Sequence, residues 1–217
     1  MAIAFDAYSF DEAGGITSLT TAHTTSGSDR VLAVGVMSDT TSDLITGITY
    51  DGTSLTKVGT VTPSGGTRYN YLFVSASEPT SGSNNVVTSA SSSTFILHHI
   101  GSYTGANTTG QPDSSNEETQ TTSTNRTMTT SVVAANCWLV GHLQAEQTTS
   151  AGSGTVKRSS HATTFFGDSN GTVGTGSQSL VVNFSSSKNL GVIMSIAEAV
   201  AVAEVTPTPQ LTTLQVG

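Results

Sequence analysis

Residues 30–58 read RVLAVGVMSDTTSDLITGITYDGTSLTKV. The opening run, residues 30–37, is rich in Val and Leu and is bracketed by Ser and Asp on both sides, which suits a strand buried on at least one face. Residues 48–50 then meet Asp51-Gly52, after which apolar Leu55 and Val58 return among Thr and Lys. Asp-Gly supplies the positive φ angles of a two-residue turn, so a β-hairpin is predicted here. The stretch sets a β scaffold.

Working outward, residues 2–5 read as a short edge strand and residues 16–23 as a second, separated by Asp11, Glu12 and a Gly14-Gly15 turn. Residues 63–66 mark a further turn. Beyond it Tyr69, Tyr71 and Phe73 alternate with other residues, which puts three aromatics on one face. Residues 85–89 make a brief strand and residues 95–103 a central one, apolar on both faces. Residues 104–122 lose all periodicity and are read as an exposed excursion. Strands resume at residues 126–133, 137–144, 155–160, 163–166, 180–184 and 190–197. This rhythm, without a helical period, predicts an all-β single antiparallel sandwich of jelly-roll type spanning residues 1–198, with extended terminal arms. Residues 199–205 suit a helix or an extended arm, and Pro207 and Pro209 turn residues 199–217 into a tail that leaves the domain.

Ser and Thr make up roughly a third of the 217 residues while charged residues are only 10%, a balance that fits hydroxyl-covered sheet surfaces. The net charge of -8 repels phosphate backbones and excludes nucleic acid as a partner. Cys137 is the lone cysteine and sits beside Trp138 in an apolar run, so it is read as a buried thiol without a disulfide. No apolar run reaches membrane-spanning length, and residues 1–10 lack the pattern of a secretion signal. Synthesis in a host cytoplasm followed by work on a virion surface reconciles these features.

The series DRVLAVGV, ITYDGTSLTKV, YNYLFVSASEPTSGSNNVVTS and SYTGANTT resembles a β-sandwich module of phage structural proteins, over residues 29–109. The resemblance implies a lectin-like jelly roll and a capsid decoration, head-fibre or tail protein. Related modules also occur in adhesins and carbohydrate-active chains, so the fold does not fix the role.

Among candidate sites, His98 and His99 are neighbours on one strand and point to opposite faces, which keeps them from sharing a metal, while His142 is able to lie across from either. No serine stands in a nucleophile motif, and the acids Asp51, Glu78, Glu146 and Asp168 are scattered. No catalytic residue is assigned. Asp168 and Asn170 lie in a Gly-Asp-Ser-Asn-Gly segment that offers oxygens at alternate positions, as a calcium loop does, and this is the one cofactor considered. The expected role is a non-enzymatic cement or head-fibre protein that binds other virion proteins, the major capsid protein first, as a homo-oligomer for which a trimer is the first choice. Its contact residues are Ala2, Ile3 and Phe5 at the front, with Val200, Val202, Val205, Pro207, Pro209 and Leu211 in the tail. The alternatives are a glycan-binding attachment module using Tyr103, Trp138 and Asp168, and a cell-surface filament subunit that donates its tail as a strand.

Overall fold

The structure, a computed structural model, describes residues 1–62 and 67–200. The turn at residues 63–66 and the contact residues Val202, Val205, Pro207, Pro209 and Leu211 lie outside the described residues. The fold is all-β, in two packed sheets. The first contains β1 (Ala4–Thr25), β2 (Val31–Asp39), β3 (Ile45–Tyr50), β4 (Thr53–Val61), β5 (Arg68–Ser75) and β6 (Gly82–Thr104), in the order β1-β6-β2-β5-β4-β3. Strand β3 pairs back onto β6, so five strands close into a ring with β1 running along β6 outside it. The second sheet holds β7 (Ser114–Val132), β8 (Trp138–Ala145), β9 (Ser150–Ala151), β10 (Val156–Lys157), β11 (Thr164–Asp168) and β12 (Gly176–Ile196). Its order is β10-β11-β8-β12-β7, with β9 on β12.

Several local expectations hold. Asp51 and Gly52 adopt φ values of 49° and 76° between β3 and β4, as the Asp-Gly hairpin requires. Tyr69, Tyr71 and Phe73 share one buried face, with adjacent ring centroids 6.1 and 6.5 Å apart. Others are corrected. The two front strands are one, because Gly15 with φ 70° produces a bulge in the ladder rather than a reversal. Residues 85–89 and 95–103 likewise merge into β6. The supposed excursion at residues 104–122 holds only up to residue 113: residues 114–122 are the first half of β7, which lacks an apolar period because it is an edge strand whose partner β12 carries the apolar residues. The jelly-roll wiring, which alternates strands between two sheets, is not the one observed: each sheet is built from one continuous half of the chain.

Those halves are copies of one design. A long strand opens each unit and pairs along its whole length with the long strand that closes it, β1 with β6 and β7 with β12. The closing strand then takes the unit's second strand, β2 or β8, on its C-terminal half, and β3 or β9 on its N-terminal half. Strands β5 and β11 pair with β2 and β8, and β4 and β10 follow. Backbone details repeat as well. Asp29 and Asn136 have φ 53° and 60° just before β2 and β8, and Gly82 and Gly176 have φ 92° and 90° where β6 and β12 begin. Sequence follows: SDRVLAVGV at 28–36 matches ANCWLVGHL at 135–143, and GSNNVVTSASSS at 82–93 matches GSQSLVVNFSSS at 176–187.

A carboxylate clamp is shared too. Asp6 accepts hydrogen bonds from the Ser26 amide, at 2.9 Å, and from the Ser102 hydroxyl, at 2.8 Å. Asp113 accepts from the Val133 and Ala134 amides, at 2.9 and 3.0 Å, and from the Ser195 hydroxyl at 3.0 Å. Each clamp ties the start of a unit to the loop that leaves its first long strand. Truncating Asp113 to Ala strands two amides and a hydroxyl, so a loss of about 1–3 kcal/mol is expected in urea denaturation, with Asn recovering part of it. An unchanged midpoint would remove the clamp role.

Three apolar clusters stack through the molecule. One fills the first ring, with Leu32, Val34, Ile48, Tyr71, Phe73 and Ile100 among its members. Another fills the second unit around Met128, Leu139, Leu143, Phe165, Leu180 and Ile193. The third lies between the units, where Val31, Ala33, Leu72 and Tyr103 meet Trp138, Val140, Val192 and Ile196. Equivalent strands of both units supply this middle layer, so the units pack face to face like a twofold dimer joined in one chain.

Candidate functional site

The densest chemistry lies where histidines replace apolar residues at buried positions. His98 and His99 do point to opposite sides of β6: His98 sits beside Val36 in the first ring, and His99 beside Gly35 in the layer between units. His142, on β8, meets His99 rather than His98, with ring centroids 5.5 Å apart. His23, on β1, is 1% exposed, and His98, His99 and His142 are fully buried.

Each imidazole has its protons placed by its neighbours. Ser102 donates to the Asp6 carboxylate, so its oxygen accepts from His23 Nε2 at 3.1 Å, and His23 Nδ1 accepts from Ser9 at 2.9 Å. Thr21 donates to Asp11, accepts from His98 Nε2 at 2.8 Å, and His98 Nδ1 accepts from Thr88 at 3.0 Å. A longer chain crosses between the units. The Thr164 amide donates to His161 Nδ1, which leaves the proton of His161 on Nε2, facing Glu12 at 3.5 Å. The Thr164 hydroxyl donates to the same Nδ1 at 2.8 Å and accepts from His99 Nε2 at 2.6 Å, while Tyr8 donates to His99 Nδ1 at 2.7 Å. His142 Nδ1 donates to the Tyr71 carbonyl at 3.2 Å.

Burial holds these rings neutral. It lowers His23 and His98 to about 4 and His142 to about 3, against partial compensation from Asp6, from Asp11 and from the Tyr71 carbonyl. His99 falls well below the ordinary value, by burial first and then by the neighbouring His142 and His161. The wiring of His23 and His98 is specific to the first unit: the register places Met128, Thr130, Val182 and Gly191 of the second unit where the first has Thr21, His23, Thr88 and His98.

Chemically, His23, His98, His99 and His161 use both nitrogens, which leaves them no lone pair for a metal. Among the described residues no group of three or more His, Cys, Asp or Glu is placed to hold a metal ion. Ser9 stands to His23 as a nucleophile stands to a base, but a base depressed to about 4 is a weak proton acceptor at neutral pH.

The residues expected to meet a sugar do come together, but inside the protein. Tyr103 is fully buried and Trp138 is 7% exposed, their rings edge to face at 6.2 Å. The Tyr103 hydroxyl donates to Asp168, also fully buried, which pairs in bidentate fashion with Arg158 at 2.8 and 2.9 Å and accepts from the Asn170 amide. None of the three offers a face to a glycan. The same contacts bear on calcium, because Asn170 Oδ1 is taken by Arg158 as well. Chelator treatment is therefore expected to leave the melting temperature unchanged. Asp168→Asn, which breaks a buried ion pair, is expected to cost about 3–5 kcal/mol. A large shift of the melting temperature with calcium would overturn this assignment.

The front contact residues also belong to the domain. Ile3 is 4% exposed within the middle layer, and Phe5 packs edge to face on Tyr103 beneath the Arg158 guanidinium. Ala2 is exposed, and its backbone is packed against Gly105. Of the tail residues that the structure describes, Val200 is 83% exposed. No family model, curated protein or solved structure matches this chain.

Proposed function

We propose that the protein is a non-enzymatic structural component of a phage particle, a capsid decoration or head-fibre protein that docks onto the particle lattice by one end. The observation that carries this reading is the distribution of exposed apolar groups. Among the described residues the exposed large apolar side chains are Met1, Val133 and Val200, and they gather at the end where residues 1 and 200 emerge. Most of the remaining exposed surface is Ser and Thr, a hydrated coat with little for a partner to hold. The buried polar groups support the same reading, since the imidazoles, Asp6 and Asp168 are committed to internal bonds. The jelly-roll description survives only in the broad sense of a β-sandwich suited to this task.

Labelled antibody against the protein, applied to purified native particles, tests the proposal. A regular array on the capsid, with the protein present at stoichiometric amounts by mass spectrometry, is the expected result. Absence from particles would overturn it. Label confined to fibre tips, with retention on host glycans, would replace it with the attachment module.

A further inference from the structure

Strands β3 and β4 part soon after their turn. They pair only at Thr49 with Ser54 and at Tyr50 with Thr53, after which β3 follows β6 and β4 follows β5. The wedge between them is an open hollow of about 360 Å³. One wall is β3 from Thr46 to Thr49, the other is Ser54, Leu55 and Lys57 of β4, and Phe73 and Ser89 stand behind. The Lys57 ammonium lies 5.2 Å from the Tyr71 ring centroid, 5.8 Å from that of Phe73 and 3.9 Å from the Asp43 carboxylate. Its N–H donors find no hydrogen-bond acceptor among the described residues.

The second unit shows what such a wedge takes. By register Gly47 and Ser150 oppose Ser89 and Asn183, and Lys57 and Lys157 oppose Phe73 and Gly167, so Thr46 and Lys57 have Thr149 and Lys157 as their counterparts. There the chain fills the wedge itself. The stretch leading into β11 lies beside Thr149, whose amide donates to the Ala162 carbonyl at 2.8 Å, and the Lys157 ammonium donates to the carbonyls of Thr149 and His161 at 3.0 and 2.7 Å. In the first unit β4 instead pairs with β5 as far as Val61, and the hollow stands in that place. We infer that the wedge between β3 and β4 receives an extended segment of a partner polypeptide, which gives backbone carbonyls to Lys57 and adds to a strand edge. Asp43 already balances the charge of Lys57, which favours a neutral carbonyl over an anion. Phe73, 2% exposed, has no open face on which a sugar ring would stack. This surface shares no residue with the end at Met1, Val133 and Val200.

Isotope-labelled full-length protein, titrated by NMR with the synthetic peptide RSSHATT, tests it. The peptide is residues 158–164, the stretch that fills the second wedge. The expected result is saturable shifts of the Thr46, Gly47 and Leu55 amides. Lys57→Met, which keeps the stem and loses the donors, is expected to bind about ten-fold more weakly. A nitroxide on the peptide should broaden the same amides, a reading that needs no variant. Shifts that never saturate or that fall elsewhere would overturn the inference, as would equal binding by a folded Lys57→Met protein. So would glucose or N-acetylglucosamine moving these amides while the peptide does not, since the hollow would then be a sugar site. Particles take no part in the measurement, so its failure leaves the virion reading standing.

Discussion

At pH 5 the protein is expected to be about 6 kcal/mol less stable than at pH 7.5. An unfolded histidine takes up its proton near pH 6.5, but His23 and His98 do so only near 4 in the folded chain and His142 only near 3, because burial disfavours the charged ring. A base whose folded value is depressed contributes its full stability above pH 6.5, and this is lost as the pH falls from there toward the folded value. In that window the unfolded state binds more protons, so stability drops with pH. Each histidine contributes up to about 1.4 kcal/mol per pH unit, and the three together about 4. Over the one and a half units from pH 6.5 to 5 this sums to about 6 kcal/mol, a large share of a total of about 5–15 kcal/mol. Urea midpoints measured between pH 7.5 and 4.5 would show it, and His98→Gln should flatten the slope by one proton. Midpoints that stay level from pH 7.5 to 5 would mean that these rings are protonated in the native state. The window also separates histidines from carboxylates. Burial alone would raise Asp6, but its bonds from Ser26 and Ser102 hold it below the ordinary value, so its contribution fades only at lower pH.

The parts legible in the sequence were those set by local chemistry. Asp51-Gly52 specifies its own backbone, and the alternation of Tyr69, Tyr71 and Phe73 specifies a shared face whatever the partners are. The opposite directions of His98 and His99 follow from the pleat alone. The parts that escaped depend on pairing. Gly14-Gly15 has the composition of a turn and becomes a bulge only because β6 runs past it without interruption. Tyr103, Trp138 and Asp168 have the composition of a sugar site, and only the packing of one unit on the other buries them. The repeat was present in SDRVLAVGV and ANCWLVGHL, yet the segments between its matched strands differ. Strands β3 and β4 have six and nine residues where β9 and β10 have two each. Alternation is a property of each strand by itself and does not set one half of the chain against the other, so the duplication emerges from the register.

That duplication leads to the second large expected effect, at Gly35. The match of VLAVGV with WLVGHL puts Gly35 and His142 at the same place in their units, and across the middle layer these two positions meet. Equivalent positions face each other only near a twofold axis, where two full side chains would compete for one space. Here one unit has given up its side chain. A Cβ built on Gly35 would lie 2.4 Å from His142 Cγ and 2.8 Å from its Cβ, the root of the side chain rather than a movable tip. His142 has little room to yield, because its Nδ1 is bonded to the Tyr71 carbonyl and its own carbonyl accepts from Asn70 at 2.9 Å. Gly35→Ala is therefore expected to cost about 3 kcal/mol, the upper end of ordinary overpacking. His142→Ala alone should cost about 2–3 kcal/mol through the space it leaves. The double variant decides between a specific clash and general fragility. If the methyl at position 35 enters the space vacated by the imidazole, the double variant should be more stable than the sum of the single losses by about 2 kcal/mol or more. Additive losses would mean that the strands part to admit the methyl, and that a glycine at this position is not what allows the two units to close on each other.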